Sequence, residues 1–172
     1  MTTATIKIFL PYGDAKRLRT AEISNWTGKA VAAPRTEFDA LLKRPELDKS
    51  GIYILTGNNP QTGAPLAYIG EAEVIKDRIK SHTDKELWVQ AIIFVSKDSN
   101  LTKSHIRYLE GRIIDLAKSF ERVTLVNVQA SGAKLPESDT ADMEVFLTRI
   151  QQLLPVLGSN ILNPIKKPLT IE

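Results

Sequence analysis

The side chains best suited to chemistry in this chain are two tyrosines, an arginine and a histidine close together near its middle. Tyr53 lies in "GIYIL", Tyr68 in "LAYIG", and Arg78 and His82 in "IKDRIKSH". Strand residues alternate between faces, so the two tyrosines can meet across a hairpin. Arg78 and His82 are four residues apart and share one face of a helix. The pattern predicts a polar site beside a hairpin, although cross-strand tyrosines also commonly stabilise sheets.

The distribution of charge places an anionic ligand in the same part of the chain. The net charge is only +3, and what matters for nucleic acid is clustering on one face. The bases of the middle region are Lys76, Arg78, Lys80, Lys85, Lys97, Lys103, Arg107 and Arg112. The acidic stretch that follows, without a base, holds Glu137, Asp139, Asp142 and Glu144.

The composition excludes several classes of protein. The chain has 172 residues and no cysteine, which excludes disulfides, thiolate metal sites and cysteine nucleophiles and fits a cytoplasmic protein. No apolar run approaches the ~18–20 residues of a membrane span. The N-terminus "MTTATIKIFL" lacks a basic segment followed by a long apolar stretch, so no signal peptide is indicated. We therefore expect a cytoplasmic protein with no membrane partner.

Periodicity predicts an α+β domain around the candidate residues. Residues 51–70 are expected to form a β-hairpin with a polar loop over 58–65, followed by a helix over 71–82. The short apolar run "WVQAIIFVS" is typical of a buried strand. The stretch "LTKSHIRYLEGRIIDLAKSF" has the apolar spacing of a helix, with Ser99 or Asn100 as its cap.

The flanking segments divide the chain into three parts. Residues 1–47 are predicted to hold the strand "IKIFLPYG", a strand pair around Thr27 and Gly28, and a short helix capped by Thr36. Residues 48–130 form the central domain, which ends with the short strand "VTLVNV". Residues 131–172 combine a linker with a C-terminal amphipathic helix that stops at Pro155.

The order of these residues resembles the GIY-YIG nuclease superfamily. "GIY" at 51–53 and "YIG" at 68–70 are followed by Arg78 and His82 on one helix and by Glu110 on a later one. "YIGEAEVIKDRIKSH" and "LTKSHIRYLEGRII" are most similar to a bacterial subgroup that carries a further C-terminal module. The resemblance covers about residues 48–128.

The resemblance implies a small domain with a three-stranded antiparallel sheet flanked by helices. It also implies a metal-dependent DNA endonuclease in which one of Tyr53 and Tyr68 takes the proton from the attacking water. Arg78 would bind the scissile phosphate, and Glu110 would hold one Mg²⁺ or Mn²⁺. His82 matches a histidine present in many members. Phosphodiester cleavage depends mostly on positioning and charge neutralisation, which suits such a set.

Further residues are candidates for substrate binding. Lys103 and Arg107 share a helix face that either meets phosphates or is simply exposed to solvent. His105 either contacts DNA or is merely exposed, and Asn127 matches the region of a family asparagine that supports the site. Glu71 departs from the relatives that carry lysine after "YIG". It would either repel phosphate or help to bind the metal.

Two other classes of function stay open at this point. A catalytically silent nucleic-acid-binding module would keep the same scaffold. A scaffold or partner-binding protein would use the final helix and the N-terminal strands, which can also form a homodimer contact or complete the sheet. Trp26 and Trp88 are expected in the core and not as base-stacking platforms.

Overall fold

The fold is an α+β arrangement of a seven-stranded mixed sheet with helices on both faces. The computed structural model describes residues 2–81, 88–127 and 132–165, and element counts refer to those ranges. The strands are β1 (Ile6–Phe9), β2 (Arg19–Ile23), β3 (Gly28–Pro34), β4 (Gly51–Asn58), β5 (Pro65–Ala72), β6 (Trp88–Ser96) and β7 (Thr124–Leu125). The helices are α1 (Phe38–Leu42), α2 (Ile75–Lys80), α3 (Lys103–Phe120) and α4 (Glu137–Val156), with 3₁₀ turns at Arg35–Glu37 and Pro45–Asp48.

The strand order β1-β2-β3-β6-β4-β5-β7 corrects the predicted three-stranded sheet. The predicted strands are present as β6, β4 and β5, with β4 antiparallel to both neighbours. The other edge of β6 is not free, because β3 pairs with it antiparallel from Gly28 to Pro34. β7 adds a parallel strand to β5. The continuous apolar run of β6 explains the larger sheet, since a strand covered on both faces is buried best with a partner at each edge.

Strand alternation sorts the hairpin into two cores. Ile52 and Ile54 face the core beneath α3 and α4. Tyr53 and Leu55 face the opposite core, where α1 and α2 pack. Trp26 and Trp88 are buried, as predicted. The site residues are therefore held by strands and helices fixed in two separate apolar layers.

Several helix boundaries differ from the predictions. α2 begins at Ile75 and not at 71, because Glu71 and Ala72 continue β5 and pair with Ile52 and Gly51. The short helix α1 begins at Phe38, and Thr36 lies within the preceding 3₁₀ turn.

The start of α3 and the end of α4 also differ slightly from the predicted positions. α3 is capped by Thr102, whose side chain accepts a hydrogen bond from the backbone N–H of His105, and not by Ser99 or Asn100. α4 ends at Val156, so Pro155 lies just inside its last turn. The predicted inward residues of α4 are all buried: Met143, Phe146, Leu147, Ile150, Leu153 and Leu154.

No helix among the described residues is long and apolar enough to cross a membrane.

Candidate active site

Tyr53 lies at the centre of the candidate site and is completely buried. Its partner across the hairpin is Gly70 of "YIG". A Cβ atom at Gly70 would overlap the ring and hydroxyl of Tyr53. The missing side chain of Gly70 therefore makes room for the tyrosine of the opposite strand.

Tyr68 packs against Tyr53 from the neighbouring strand. The ring centroids are 6.0 Å apart and the ring planes differ by 17°, an offset stack typical of aromatic pairs. Tyr68 is only partly buried, whereas Tyr53 has no exposed surface. The structure thus brings the two tyrosines of the hairpin together, with one of them nearer to solvent.

The electrostatic surroundings of Tyr53 connect it to the other candidate residues. Burial raises the pKa of Tyr53 well above its usual value, and the charge and hydrogen bond of Tyr68 and the carboxylate of Glu110 act in the same direction. The positive charge of Arg78 acts in the opposite direction. One cluster of electrostatic neighbours therefore combines four residues, one each from β4, β5, α2 and α3: Tyr53, Tyr68, Arg78 and Glu110.

Arg78 is presented by α2 at the surface of this cluster. The buried residues Ile75 and Ile79 fix the helix against the Tyr53 side of the sheet, while Arg78 itself is exposed. Arg78 lines an open cleft of about 340 Å³ together with Lys103, Asp77 and Ser81. His82, the other candidate of this helix, lies outside the described residues.

Glu110 is half-buried in the middle of α3, between the buried residues Leu109 and Gly111. Burial raises the pKa of its carboxyl group, and the negative charge of Glu71 raises it further. A backbone hydrogen bond from Glu71 and the positive charges of Lys103 and Arg78 oppose that effect without cancelling it. Glu110 therefore differs from an ordinary solvated helix glutamate, because its ionised form is incompletely compensated.

Lys103 forms a direct ion pair with Glu71 at the start of α3. Its Nζ atom donates to Oε1 and Oε2 of Glu71 at 2.9 and 3.1 Å. The Glu71 side chain is 13% exposed and the Lys103 side chain 46%. Both residues thus belong to the cluster, and the acidic charge of Glu71 is partly neutralised there.

Asn127 supports the strand that carries Tyr68. Its Oδ1 accepts a hydrogen bond from the backbone N–H of Ile69 at 3.1 Å, and its Nδ2 donates to the carbonyl of the same residue. These bonds continue the β5–β7 pairing beyond Leu125. Asn127 therefore fixes the backbone between Tyr68 and Gly70, and its amide is used in that contact.

His105 lies in different surroundings from Glu110. Its Nδ1 accepts the backbone N–H of Thr102 at 3.1 Å, and its Nε2 lies 3.2 Å from Oδ1 of Asp139 on α4. The imidazole thus completes a capping box and ties α3 to α4. Both ring nitrogens of His105 are used in these two contacts.

The carboxylate of Glu110 fits a hard divalent cation. It supplies oxygen donors whose charge is incompletely compensated, whereas both carboxylate oxygens of Glu71 already accept from Lys103. Mg²⁺ usually keeps several waters and needs only one or two protein carboxylates. No group of three or more His, Asp or Glu side chains suited to a metal occurs within the described ranges, so a protein cage of that size is not part of this fit.

Sequence reasoning missed two features of the site. The contact between Tyr53 and Gly70 depends on strand register, which the hairpin pattern does not specify. The pair of Lys103 and Glu71 joins residues 32 positions apart, and no local spacing predicts it. The acidic residue directly after "YIG" was the available signal that a cation had to lie nearby.

The chain was compared with protein-family models, with curated proteins and with solved structures, and none of these comparisons gave a significant match.

Proposed function

We propose that the protein is a metal-dependent endonuclease of the GIY-YIG type that hydrolyses DNA phosphodiester bonds. The observation that carries the proposal is the cluster of Tyr53, Tyr68, Arg78 and Glu110, which are neighbours although they come from four separate elements. The motif order in the sequence supports the same assignment. His82 keeps its place in the proposal from that motif order.

Arg78 is the proposed ligand of the scissile phosphate. Its guanidinium group is exposed at the cleft, so a phosphate can reach it from solvent. A planar fork of N–H donors suits two phosphate oxygens. Charge on those oxygens grows during the reaction, so a fixed cation at this point stabilises the transition state more than the bound substrate.

Tyr68 is the better of the two tyrosines for the role of general base. Tyr53 is fully buried and its pKa is raised, so it keeps its proton at neutral pH. Tyr68 is partly exposed and can contact an attacking water. In this proposal Tyr53 donates a hydrogen bond that orients Tyr68, and Tyr68 reacts as its phenolate, which takes a proton from the water and becomes the neutral phenol.

Glu110 is the proposed protein ligand of Mg²⁺ or Mn²⁺. When bound, the ion would supply positive charge to the phosphate oxygens. Glu110 itself would offer a carboxylate whose ionised form is incompletely compensated by its neighbours, so binding a cation would relieve that imbalance. Asn127 supports the site indirectly, because it holds the backbone of β5.

The test is cleavage of supercoiled plasmid DNA by the purified protein with Mg²⁺, with Mn²⁺ and with EDTA. We expect nicked or linear product with either metal and none with EDTA, and Glu110→Gln should abolish the reaction while the protein stays folded. A wild-type protein that binds DNA but cuts none would favour the alternative, a silent nucleic-acid-binding module. Full cleavage by Glu110→Gln would refute the proposed role of this carboxylate.

A further inference from the structure

Lys103 has a different environment from the one that a phosphate-binding lysine requires. Its ammonium group already contacts both carboxylate oxygens of Glu71, at 2.9 and 3.1 Å. Glu71 is largely buried, with 13% of its side chain exposed. A carboxylate in that position needs a partner, since an unpaired buried charge is costly.

Among the charged groups that act on Glu110, the number of cations equals the number of carboxylates only when Lys103 is included. The negative groups are Glu71 and Glu110, and the cations that act on Glu110 are Lys103 and Arg78. Loss of Lys103 would leave Glu71 without this ion-pair partner. A DNA phosphate that approaches Arg78 would then meet one more uncompensated negative charge, in a cleft that Glu73 and Asp77 also line.

We infer that Lys103 is a positioning residue that acts through Glu71. By neutralising Glu71 it allows an anionic phosphate to reach Arg78, and it does not itself need to contact the DNA. This inference rests on the proposed function, because it assumes that a phosphate enters this cluster. It replaces the direct phosphate contact that the sequence suggests for Lys103.

The two roles differ in how they depend on Glu71. If Lys103 cancels the charge of Glu71, removal of that charge makes Lys103 dispensable. If Lys103 contacts phosphate directly, its loss weakens binding whether or not Glu71 is charged. A double-mutant cycle measures this difference.

The experiment compares wild type, Lys103→Met, Glu71→Gln and the double variant. Methionine keeps the apolar stem of lysine, and circular dichroism checks that each variant is folded. Affinity for a labelled DNA duplex is measured by fluorescence anisotropy with Ca²⁺ in place of Mg²⁺. We expect Lys103→Met to bind about fivefold more weakly, because one unbalanced charge in a largely solvated site changes affinity by a modest factor. Glu71→Gln should bind at least as tightly as wild type, and the double variant should match Glu71→Gln.

A second ion pair provides a matched control. Lys97 lies 3.9 Å from Glu22, and its side chain is 44% exposed, close to the value for Lys103. Glu22 belongs to β2, on the N-terminal side of the sheet. In the same cycle with Lys97→Met and Glu22→Gln, removal of the glutamate charge should not increase the DNA affinity of the lysine variant. Lys103→Arg should restore binding, because arginine can also pair with the Glu71 carboxylate.

The possible outcomes separate the inference from the proposed function. A double variant as weak as Lys103→Met would overturn the inference, since it would indicate direct contact with DNA. Wild-type protein that binds no DNA would overturn it as well. Wild-type protein that binds but never cuts would refute the nuclease proposal, while the cycle would still decide the role of Lys103.

Discussion

Glu46 and Glu110 are two shielded glutamates whose surroundings produce opposite effects. Glu46, in the 3₁₀ turn Pro45–Asp48, has a side chain only 5% exposed and accepts hydrogen bonds from Arg44 at 2.9 and 3.0 Å. Burial pulls its pKa upward, but the hydrogen bonds and charge of Arg44, with the charge of Lys29, outweigh it and leave the pKa lowered. For Glu110, burial and the charge of Glu71 outweigh the cations, and the pKa is raised.

The contrast distinguishes a carboxylate whose charge the fold compensates from one whose charge it leaves incompletely compensated. Glu46 has its own cations within the fold, so its charge is already satisfied and it stabilises the packing of its turn. Glu110 is left with excess negative character beside an exposed guanidinium. Groups with incompletely compensated charge are typical of functional sites, and under the proposed function a bound cation would supply the missing positive charge.

The largest expected effect is on the cleavage rate, when Arg78, the cation near Glu110, is removed. Arg78→Ala should cut plasmid at least about a hundredfold more slowly, because loss of a donor aimed at developing charge typically costs 10²–10³ in rate. Its DNA affinity with Ca²⁺ should fall much less than its rate, by about the fivefold expected for Lys103→Met, and its unfolding temperature should stay near that of wild type. Rates under single-turnover conditions and a gel shift give the two quantities. Equal loss of binding and of rate would place Arg78 in general DNA binding.

Arg44→Ala should have the opposite pattern of effects, lowering the stability of the protein while leaving its cleavage rate unchanged. It removes two hydrogen bonds to a shielded carboxylate, so we expect the free energy of unfolding to fall by about 2 kcal/mol. Cleavage per folded molecule should be unchanged. Urea denaturation followed by circular dichroism measures the stability, and an unchanged midpoint would contradict the structural role of the Glu46 cluster.

The pH dependence of stability should have opposite signs for the two glutamates. The pKa of Glu46 is lowered on folding, so its stabilising contribution is present above the unfolded value of about 4.3 and is lost as the pH falls through the folded value. The pKa of Glu110 is raised, so its ionisation costs stability above the folded value, and that cost disappears as the pH falls. A pKa difference of roughly one unit between the folded and the unfolded protein corresponds to about 1 kcal/mol in the free energy of unfolding.

This expectation is checked with neutral substitutions at both positions. At neutral pH, Glu110→Gln should be more stable than wild type and Glu46→Gln less stable. The Glu110 difference should shrink as the pH falls toward the unfolded value of about 4.3, whereas the Glu46 difference should shrink only below that value, because the folded pKa of Glu46 is lower. Thermal unfolding of the three proteins across this range supplies the curves, and differences of the same sign would refute the contrast.

The hairpin, β6, α3 and the inward face of α4 could be predicted from the sequence, because their apolar periods are unambiguous over many residues. The pairing of β3 with β6 could not, since nothing in "WVQAIIFVS" identifies which strand lies at its second edge. The end of β5 was missed because Glu71 and Ala72 suit a helix start as well as a strand.

The candidate site was predictable to a similar degree. The motif order brought Tyr53, Arg78 and Glu110 into one hypothesis, and the structure makes them electrostatic neighbours. The contacts of Lys103 and His105 were not predictable, because each depends on a partner distant in the chain. Local sequence indicates which groups are available for chemistry, whereas tertiary packing decides which of them are already satisfied.

The most direct test of the account is binding of Mn²⁺ by wild type, Glu110→Gln and Glu46→Gln, measured by calorimetry or by the loss of the free-ion signal in electron paramagnetic resonance. We predict that wild type and Glu46→Gln bind Mn²⁺ alike and that Glu110→Gln binds it much more weakly. Equal Mn²⁺ binding by wild type and Glu110→Gln would contradict the claim that Glu110 is the carboxylate that takes the cation.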